Sequence, residues 1–331
     1  MRYAILGGGG SFGLHTARYL LEQRDTQRVL SIGRAPQKQP CFLLGVGFGD
    51  FRYTYHIRHL TYDHISLMSL LDEAQPHVII NFAAQGESGT SFTESWRYFE
   101  TNCAGLARLV EALRERSWLR RFLHIGTSEL YGATDAPAKE TAALAPTSPY
   151  AVSKAAFDQF LGLVAQRFDF PAVILRPSNC YGEGQQLHRI IPKAFLFGMT
   201  GRKLPLHGGG TAEKSFMHSY DLARAIYMLA HADVESGAIY NCGPKEATSI
   251  RRVCELIAGA LGMNDVFSLC EMSPDRAHQD SRYWLDSHKF ETLTGWTPLI
   301  DWRDGLERMR MWVAGHLDEL RVLPTEFIMR P

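Results

Sequence analysis

The sequence shows no excess of either charge and no apolar run long enough to cross a bilayer. Among its 331 residues, 35 are Lys or Arg and 35 are Asp or Glu, so the formal net charge is zero. This balance argues against a nucleic-acid partner, because proteins that bind nucleic acids usually present a basic face. The short apolar runs likewise argue against a membrane partner.

Cysteine and histidine occur without the spacing of a disulfide framework or a metal centre. The six cysteines are scattered and form no Cys-x-x-Cys pair, and the thirteen histidines show no metal-ligand spacing. We therefore predict reduced core thiols and no bound metal. The chain opens with MRYAILGGGG, which leads directly into a strand rather than a signal-peptide layout, so we expect a cytoplasmic protein.

Apolar runs typical of strands alternate with helical patterns through the first half of the sequence. The predicted strands lie at residues 3–6, 29–32, 78–82, 122–125 and 172–175. Each run is almost continuously apolar, which is typical of a parallel sheet covered by helices on both faces. We predict an α/β fold with a doubly wound, Rossmann-type parallel sheet.

The alternation of strands and helices breaks after Pro177, where glycine, proline and aromatic residues become frequent. We predict a dinucleotide-binding domain over residues 1–177, to which residues 216–243 return. A smaller C-terminal α/β lobe, formed by residues 178–215 and 244–331, would lie over the carboxyl edge of the sheet and bind the substrate.

A glycine-rich loop follows the first predicted strand and precedes the first predicted helix. Gly7, Gly10 and Gly13 form a G-x-x-G-x-x-G motif that encloses Ser11 and Phe12. Glycines at such positions allow a tight turn and a close approach of the backbone to a pyrophosphate, which then rests on the helix N-terminus. The loop therefore predicts that a dinucleotide binds here.

The end of the second predicted strand indicates which dinucleotide is bound. NAD-binding proteins usually carry a carboxylate there, which binds the ribose 2′-hydroxyl. This strand ends instead in Ile32-Gly33-Arg34, and a guanidinium is suited to pair with a 2′-phosphate. The sequence thus favours NADP over NAD.

Tyr150 and Lys154 stand four residues apart in SPYAVSKAAF, and so on one face of a predicted helix that begins near Pro149. A tyrosine with an ordinary pKa of about 10 is a poor base at neutral pH. An ammonium group beside it favours the phenolate and lowers that pKa. Thr127, about twenty residues upstream, ends an apolar strand and supplies a hydroxyl.

These three residues and the glycine loop resemble the extended class of the short-chain dehydrogenase/reductase superfamily. In that class the Ser or Thr holds the substrate hydroxyl, the Tyr moves its proton and the Lys holds the nicotinamide ribose. The resemblance extends over nearly the whole chain. Its further segments are NFAAQGESGTSF (81–92), TNCAGL (101–106), RPSNCYGEGQQLHRIIP (176–192), GGGTAEKSFMHSYDLARAI (208–226), DRAHQDSRYWLD (275–286) and TGWTP (294–298).

Within this class the triplet Thr127-Ser128-Glu129 is similar to that of nucleotide-sugar 4,6-dehydratases. They carry Thr-Asp-Glu there, or Thr-Ser-Glu in the GDP-mannose branch. The resemblance implies that Tyr150 and Thr127 serve oxidation at C4, after which Glu129 removes the C5 proton. The proton for the departing C6 hydroxyl comes either from Glu129 itself or from Ser128 by relay through water. Such a reaction leaves its tightly bound cofactor as it began.

The resemblance implies further contacts with the cofactor and with the diphosphate sugar. For the cofactor they come from the adenine-binding position, which Asp63 matches, and from Ala83, Ala84 and Asn102. Helix capping is the alternative role for Asp63 and Asn102. For the substrate the predicted residues are Ser91, Asn179, Lys214, Arg276 and Arg282. Glu87 occupies a position where many relatives have His.

Other functions remain compatible with these motifs. Thr-Ser-Glu also occurs in UDP-glucuronate decarboxylases, but these usually continue with Gly-Pro-Arg where this chain has Gly182 followed by Glu183. An epimerase of the same fold is a second alternative, and a non-catalytic cofactor-binding regulator is a third. By analogy with the extended class we also expect a homodimer, formed by the helices that begin near Asn102 and Tyr150, with Phe157 and Phe160 as supporting apolar positions.

Overall fold

The computed structural model describes residues 1–274 and 281–329, and these form a large parallel sheet with a smaller lobe at one edge. The strands of these residues are β1 (Arg2–Leu6), β2 (Arg28–Gly33), β3 (Tyr53–Ile57), β4 (Val78–Asn81), β5 (Arg121–Ile125), β6 (Ala172–Pro177), β7 (Asn179–Tyr181), β8 (Leu204–His207), β9 (Glu213–Lys214), β10 (Phe216–His218), β11 (Ala238–Cys242), β12 (Thr248–Ser249), β13 (Cys270–Ser273) and β14 (Arg282–Tyr283).

Helices cover both faces of the large sheet and form most of the smaller lobe. The α-helices are α1 (Ser11–Glu22), α2 (His64–Ala74), α3 (Ser95–Phe99), α4 (Leu106–Leu113), α5 (Pro149–Phe168), α6 (Ile190–Met199), α7 (Ser219–His231), α8 (Ile250–Ala260), α9 (Val266–Leu269), α10 (His288–Thr294), α11 (Trp302–Gly315) and α12 (Leu317–Leu320). Short 3₁₀ segments lie at Pro40–Phe42, Gly89–Phe92, Ser128–Tyr131 and Gly208–Gly210, and a π-helical segment lies at Glu100–Gly105.

The large sheet has seven strands in the order β11-β6-β5-β4-β1-β2-β3, and every neighbouring pair in it is parallel. Two buried apolar clusters lie against its two faces, one including Leu20 and Ile226 and the other including Leu109 and Phe157. The predicted α/β fold with a Rossmann-type sheet is therefore confirmed. The five predicted strands correspond to β1, β2, β4, β5 and β6.

The pattern analysis did not find strand β3, although the strand lies at the edge of the large sheet. Its sequence, Tyr-Thr-Tyr-His-Ile, mixes polar and apolar residues, and its exposure rises toward Ile57. An edge strand has one neighbour instead of two, so it needs less continuous apolar character than a central strand. β11 occupies the opposite edge beside β6, within the segment that we expected to return to the sheet.

The smaller lobe has an apolar core of its own. Phe195 on α6, Ile257 on α8 and Trp312 on α11 belong to one buried cluster, separate from the clusters against the large sheet. Trp312 also donates its indole N–H to the carbonyl of Cys41, at 2.8 Å, which ties this lobe to the segment after β2. None of the described helices combines the length and hydropathy needed to cross a bilayer.

Because the strands of the large sheet are parallel, their carboxyl ends meet along one edge. The glycine loop follows β1, Arg34 follows β2, Ala83 follows β4 and Thr127 follows β5. Ligand sites of open α/β sheets lie along this edge. The fold thus brings together the motifs that were predicted from separate parts of the sequence.

Candidate active site

The glycine loop is packed so closely that side chains cannot be added to it. Gly7 has a φ of 79°, and a Cβ atom there would lie 2.9 Å from the backbone nitrogen of Ala83. At Gly13 a Cβ atom would lie 2.7 Å from the Cα of Gly8. Gly8, which the motif did not single out, has the same restriction, because its Cβ atom would lie 2.7 Å from that of Ser31. The loop therefore presses its backbone against the ends of β2 and β4.

The first turn of α1 is open to a phosphate. Gly10 is the N-cap of this helix, and no side chain caps the free N–H groups. Ser11 and Phe12 supply the first helical N–H groups, and Ser11 is buried. Free N–H groups at a helix N-terminus together with the helix dipole form an anion site. The cradle fits the pyrophosphate of a dinucleotide.

Arg34 and Asp63 lie at the end of the carboxyl edge where the adenosine half of a dinucleotide is expected. The Nη1 of Arg34 donates to the Oε1 of Gln85 at 3.0 Å, so the guanidinium is directed across the edge toward the loop after β4. The carboxylate of Asp63 accepts the backbone N–H of His59 at 2.7 Å and does not cap α2, although the residue occupies the N-cap position.

Asn102 is fully buried and uses its side chain on neighbouring protein groups. Its carbonyl oxygen accepts the backbone N–H of Gln85 at 2.7 Å, and its amide donates to the carbonyl of Gln85 at 3.0 Å and to the hydroxyl of Ser153 at 2.9 Å. Asn102 thus fixes the segment that carries Ala83 and Ala84 and ties it to α5. A π-helical turn, a feature often found at functional sites, positions it for these contacts.

The polar triplet after β5 lies in a short 3₁₀ segment. Thr127 is its N-cap, and the hydroxyl of this threonine accepts the backbone N–H of Glu129 at 3.2 Å. Thr127 and Ser128 are buried, whereas Glu129 is partly exposed. The carboxylate of Glu129 accepts a hydrogen bond from Ser88, which lies on the loop after β4. The sequence motifs gave no indication of the contact with Ser88.

Tyr150 lies in the first turn of α5. Pro149 occupies the first helical position, and Ser148 caps the helix by accepting the backbone N–H of Ala151 at 3.1 Å. Burial raises the pKa of Tyr150 above its ordinary value and the charge of Glu129 raises it further, while a hydrogen bond with Thr127 acts in the opposite direction. Thr127 and Glu129 therefore both influence the hydroxyl of Tyr150.

Lys154 does not have the effect on Tyr150 that the sequence suggested. Its Nζ donates to the carbonyl of Ile125 at 2.7 Å and contacts the Nε2 of His124 at 3.1 Å. Burial lowers the pKa of Lys154 to about 8, although the charge of Asp158 opposes this. In this structure the pKa of Tyr150 is raised, because burial and the charge of Glu129 outweigh the hydrogen bond with Thr127 and the charge of Arg189, so the predicted lowering by Lys154 is not seen.

A buried polar network lies beneath the catalytic residues, and sequence reasoning missed it. His124 contacts Asn81 through its Nδ1 at 2.9 Å and lies 3.5 Å from the carboxylate of Asp158. Asp158 accepts the Nε of Arg176 at 2.9 Å, and Arg176 donates to the hydroxyl of Tyr131 at 2.7 Å. The periodicity of β5 and α5 shows these positions to be internal but does not show that their polar groups meet.

The predicted substrate residues that the structure describes lie on short elements: Ser91 in the 3₁₀ segment Gly89–Phe92, and Asn179, Lys214 and Arg282 on strands β7, β9 and β14. The Oδ1 of Asn179 is buried and has no hydrogen-bond partner among the described residues. Ser91 is fully buried, and its hydroxyl donates to the carbonyl of Ser88 at 2.6 Å. Ser91 therefore supports the loop that holds Ser88 against Glu129.

The predicted cations do not converge on one point. Lys214 and Glu213 are neighbours in strand β9, so their side chains point to opposite faces of the small sheet. Arg282 pairs in register with Glu213 and forms an ion pair with it, whereas the Nζ of Lys214 lies 5.1 Å from the centre of the Tyr283 ring. The remaining predicted cation, Arg276, lies outside the described residues.

Glu87 brings a second carboxylate to the site. Its Oε2 lies 3.1 Å from the Nη1 of Arg189 and 3.5 Å from the Nε2 of His188. Hydrogen bonding to His188, and the charges of Arg189 and Lys214, lower the pKa of Glu87 to about 2 although burial acts against this. Within residues 1–274 and 281–329, no group of three or more His, Cys, Asp or Glu side chains is arranged to hold a metal ion.

Two curated relatives show the kind of protein that this chain is similar to. One is the trifunctional UDP-glucose 4,6-dehydratase/UDP-4-keto-6-deoxy-D-glucose 3,5-epimerase/UDP-4-keto-L-rhamnose-reductase of Arabidopsis thaliana, 29% identical over 93% of this chain and 46% of the relative. The chain spans less than half the length of that protein. The other is the dTDP-D-glucose 4,6-dehydratase of Mus musculus, 28% identical over 94% of this chain and 88% of the relative.

A solved structure and a family model agree with these relatives. The crystal structure of dTDP-glucose 4,6-dehydratase from Streptomyces venezuelae, with NAD and TYD bound, matches with a TM-score of 0.87 at 28% identity. The match covers 95% of this chain and 97% of that chain. Residues 3–243, which are 241 of the 331 residues, match the model of one family. The chain therefore belongs to the NAD dependent epimerase/dehydratase family.

Proposed function

We propose that this protein is a nucleotide-sugar 4,6-dehydratase that uses a nicotinamide cofactor and converts a nucleotide-linked hexose into its 4-keto-6-deoxy derivative. One observation carries the proposal: the carboxylate of Glu129 is held by Ser88, the backbone N–H of Glu129 is held by the hydroxyl of Thr127 at 3.2 Å, and the charge of Glu129 raises the pKa of Tyr150. An oxidation alone requires the Tyr and the Thr. The carboxylate adds a base that is suited to an elimination.

The first step is the oxidation at C4 of the hexose, which makes the hydrogen at C5 acidic. Thr127 holds the C4 hydroxyl, and Tyr150 takes its proton. A nicotinamide cofactor held at the glycine loop would supply the oxidant for C4 and, once reduced, the hydride for C6. Because the pKa of Tyr150 is raised, this residue needs a positive charge nearby to act as a base. Lys154 lies one helical turn away on α5, and a rotation of its flexible side chain would bring the ammonium closer.

The second step is the removal of water across C5 and C6. Glu129 takes the C5 proton, and the C6 hydroxyl leaves as water after receiving one proton. In the simpler route Glu129 gives the proton that it has taken to the departing C6 hydroxyl, and C5 takes a proton from solvent by way of Glu129 when the hydride adds to C6. In the other route Ser128 relays a proton through water. General acid–base groups of this kind each contribute about 10²–10⁴-fold to the rate.

We further propose that the cofactor is NADP rather than NAD. Arg34 stands directly after β2 in place of a carboxylate, and its guanidinium is directed along the carboxyl edge of the sheet. A 2′-phosphate would find a planar cation there, whereas a 2′-hydroxyl would lack its usual acceptor. The relative from Streptomyces venezuelae was solved with NAD, so this preference distinguishes the present chain from it.

The diphosphate sugar would lie between the large sheet and the smaller lobe. Asn179 offers a buried amide oxygen, and Lys214 supplies a point charge from β9. This placement assigns residues 1–177 and 216–243 to cofactor binding, and residues 178–215 and 244–331 to substrate binding. The six cysteines are free thiols, which agrees with a reducing compartment such as the cytoplasm.

We also propose a homodimer, formed through the exposed faces of α5 and of the helix that contains Asn102. A groove of about 440 Å³ lies between them, lined mainly by Phe99, Cys103, Ala104, Ala107, Ala156, Phe157 and Phe160. Val152 and Leu163 extend this apolar surface along α5, and they are 39% and 64% exposed. Exposed apolar surfaces of this kind mark interaction sites.

Sedimentation at micromolar concentration tests the homodimer. The wild type should sediment as a dimer and Ala156→Glu as a monomer. Ile65→Glu, on the exposed face of α2, should stay dimeric. A monomeric wild type would refute the proposal.

The proposed activity is tested with a panel of nucleotide hexoses and mass detection of the products. The expected result is loss of one water from one of them, with no net change in the cofactor. Loss of carbon dioxide from UDP-glucuronate would instead identify a decarboxylase, and inversion at C4 without loss of mass would identify an epimerase. No turnover of any nucleotide sugar, with cofactor still bound, would favour a non-catalytic regulator.

A further inference from the structure

Glu87 has a backbone conformation that side chains rarely adopt. Its φ is 85°, a region that is costly for a residue other than glycine. Tyr98 donates its hydroxyl to the carbonyl of Glu87 at 2.9 Å, and Thr90 donates to the same carbonyl at 3.3 Å. Surrounding groups therefore hold the backbone of Glu87 in this strained conformation, and such strain is concentrated at functional sites.

The side chain of Glu87 crosses from the cofactor side of the site to the substrate side. Its partners, His188 and Arg189, immediately precede α6 and belong to the segment that follows β7. Arg189 keeps 44% of its side chain exposed, whereas Glu87 keeps 25%. The carboxylate of Glu87 is thus the more buried member of the pair, and the guanidinium of Arg189 is the more exposed one.

This ion pair faces the place where the sugar is expected to react. The charges of Glu87 and Arg189 both act on the pKa of Tyr150, in opposite directions. The next residue, Ser88, donates to the carboxylate of Glu129. The charges of two carboxylates and one guanidinium therefore act on Tyr150, and the guanidinium is already paired with Glu87.

A hexose and its uronic acid differ by the carboxylate at C6, close to the atom from which the proposed reaction removes a hydroxyl. A carboxylate at that point would need a cation, and it would meet the charges of Glu129 and Glu87. We propose that Glu87 is a specificity-determining residue that makes the sugar site accept neutral hexoses and reject uronic acids, by pairing with Arg189 and by repelling a second carboxylate. This inference rests on the proposed function, because it assumes that a nucleotide sugar binds beside Tyr150.

The test compares the binding of two matched ligands to the cofactor-loaded protein. The ligands are UDP-glucose and UDP-glucuronate, with dTDP-glucose and dTDP-glucuronate as a second pair, and calorimetry gives the ratio of dissociation constants within each pair. Glu87→Gln keeps the shape of the side chain but removes its charge. In this variant the dissociation constant of the uronate should fall by about 10–100-fold relative to that of the hexose. Arg189 can then donate a charged hydrogen bond to the uronate, and the negative charge of Glu87 no longer repels it.

Glu94→Gln is the matched control. Glu94 lies on the same segment, pairs with Arg97 at 3.3 Å and is 38% exposed at its side chain. This substitution should leave the ratio unchanged. An unchanged ratio in Glu87→Gln, or an equal shift in both variants, overturns the inference. The double variant Glu87→Gln/Arg189→Gln should keep only the part of the gain in uronate binding that comes from removing the repelling charge, because the freed guanidinium is then absent. If it keeps the full gain, pairing with Arg189 is overturned as a cause.

A second variant covers the case in which Glu87→Gln does not fold. Glu87→Gly removes the charge and also relieves the positive φ, so this variant should fold and show the same shift in the ratio. Failure of the inference can be told apart from failure of the proposed function. If wild type binds and dehydrates a neutral nucleotide hexose while the ratio in the variants does not move, only the role of Glu87 is wrong. If wild type binds no nucleotide sugar, both are wrong.

Discussion

The two sides of the site are built from different parts of the polypeptide. On the cofactor side the backbone makes the shape: Gly7, Gly8 and Gly13 are packed so closely that no Cβ atom fits. On the sugar side charged side chains make the shape, and Glu87 and Arg189 come from loops far apart in the sequence. On this proposed assignment, the cofactor side should tolerate few substitutions in its glycine loop. The sugar side should change its preference between neutral and acidic sugars through single charges.

The largest effect is expected from Tyr150→Phe, which acts where the two sides meet. Without the hydroxyl, neither the oxidation at C4 nor the later loss of water can occur. We expect turnover to fall by about 10⁴-fold or more, since the general base is lost for the step on which every other step depends. Stopped-flow absorbance of reduced nicotinamide and mass detection of product measure both steps. Tyr62→Phe, at a 65% exposed tyrosine, should behave as wild type. Normal turnover in Tyr150→Phe would contradict the mechanism.

Glu129→Gln separates the two chemical steps. Glutamine keeps the shape and can still accept from Ser88, but it cannot remove the C5 proton. Oxidation should proceed, so reduced nicotinamide should accumulate, and solvent deuterium should not enter C5. Elimination should slow by about 10²–10⁴-fold, or roughly 3–5 kcal/mol of barrier. Ser128→Ala should have a smaller effect if Glu129 returns its own proton, and nearly the same effect if Ser128 relays it. A wild-type rate in Glu129→Gln would leave the elimination without its base.

Asp158→Asn tests the buried network that supports the cofactor side. The carboxylate of Asp158 accepts the Nε of Arg176 at 2.9 Å with both side chains buried. Removing one member of a buried ion pair leaves the other charge uncompensated, at a cost of about 3–5 kcal/mol of unfolding free energy. Asp72→Asn breaks a partly exposed pair with Arg116, whose Nε lies 2.8 Å from the carboxylate, and should cost about 0–1 kcal/mol. Urea denaturation measures both. Equal losses of unfolding free energy in the two variants would show that the buried network stabilises the fold no more than a surface ion pair does.

Arg34→Ala should have the smallest of these effects, because it changes one contact with one part of the cofactor. Loss of a charged hydrogen bond to the 2′-phosphate should weaken the binding of NADP by about 10–100-fold and leave the binding of NAD nearly unchanged. Fluorescence titration of both cofactors gives the ratio of affinities. Arg28→Ala, at the opposite end of β2, should not alter it. If wild type binds NAD as tightly as NADP, the preference is wrong.

The sequence was informative where function depends on local pattern. Short motifs predicted the glycine loop, the triplet at Thr127 and the Tyr150–Lys154 pair, because each occupies a few consecutive residues or one helical turn. The fold placed the first two at one edge of the sheet, as parallel topology requires. Edge strand β3 escaped prediction, since the burial pattern of a strand with one neighbour is incomplete.

Contacts between distant segments could not be predicted from the sequence. Ser88 and Glu129 are 41 residues apart, and Glu87 and Arg189 are farther apart still. The predicted lowering of the pKa of Tyr150 by Lys154 is not seen, for a related reason: spacing places both residues on one face of α5, but tertiary contacts decide where a flexible lysine side chain ends. Its ammonium group contacts Ile125 and His124 instead.

The position of β11 also determines when the sheet can be completed during synthesis. β11 pairs with β6, yet residues 178–237 separate the two strands, and many of them belong to the smaller lobe. A nascent chain that ends before residue 238 exposes the edge of β6, with its unpaired N–H and C=O groups. Long-range pairing of this kind is slow and leaves such an edge open to aggregation. A truncation intended to isolate the cofactor-binding half must therefore retain the chain through Cys242.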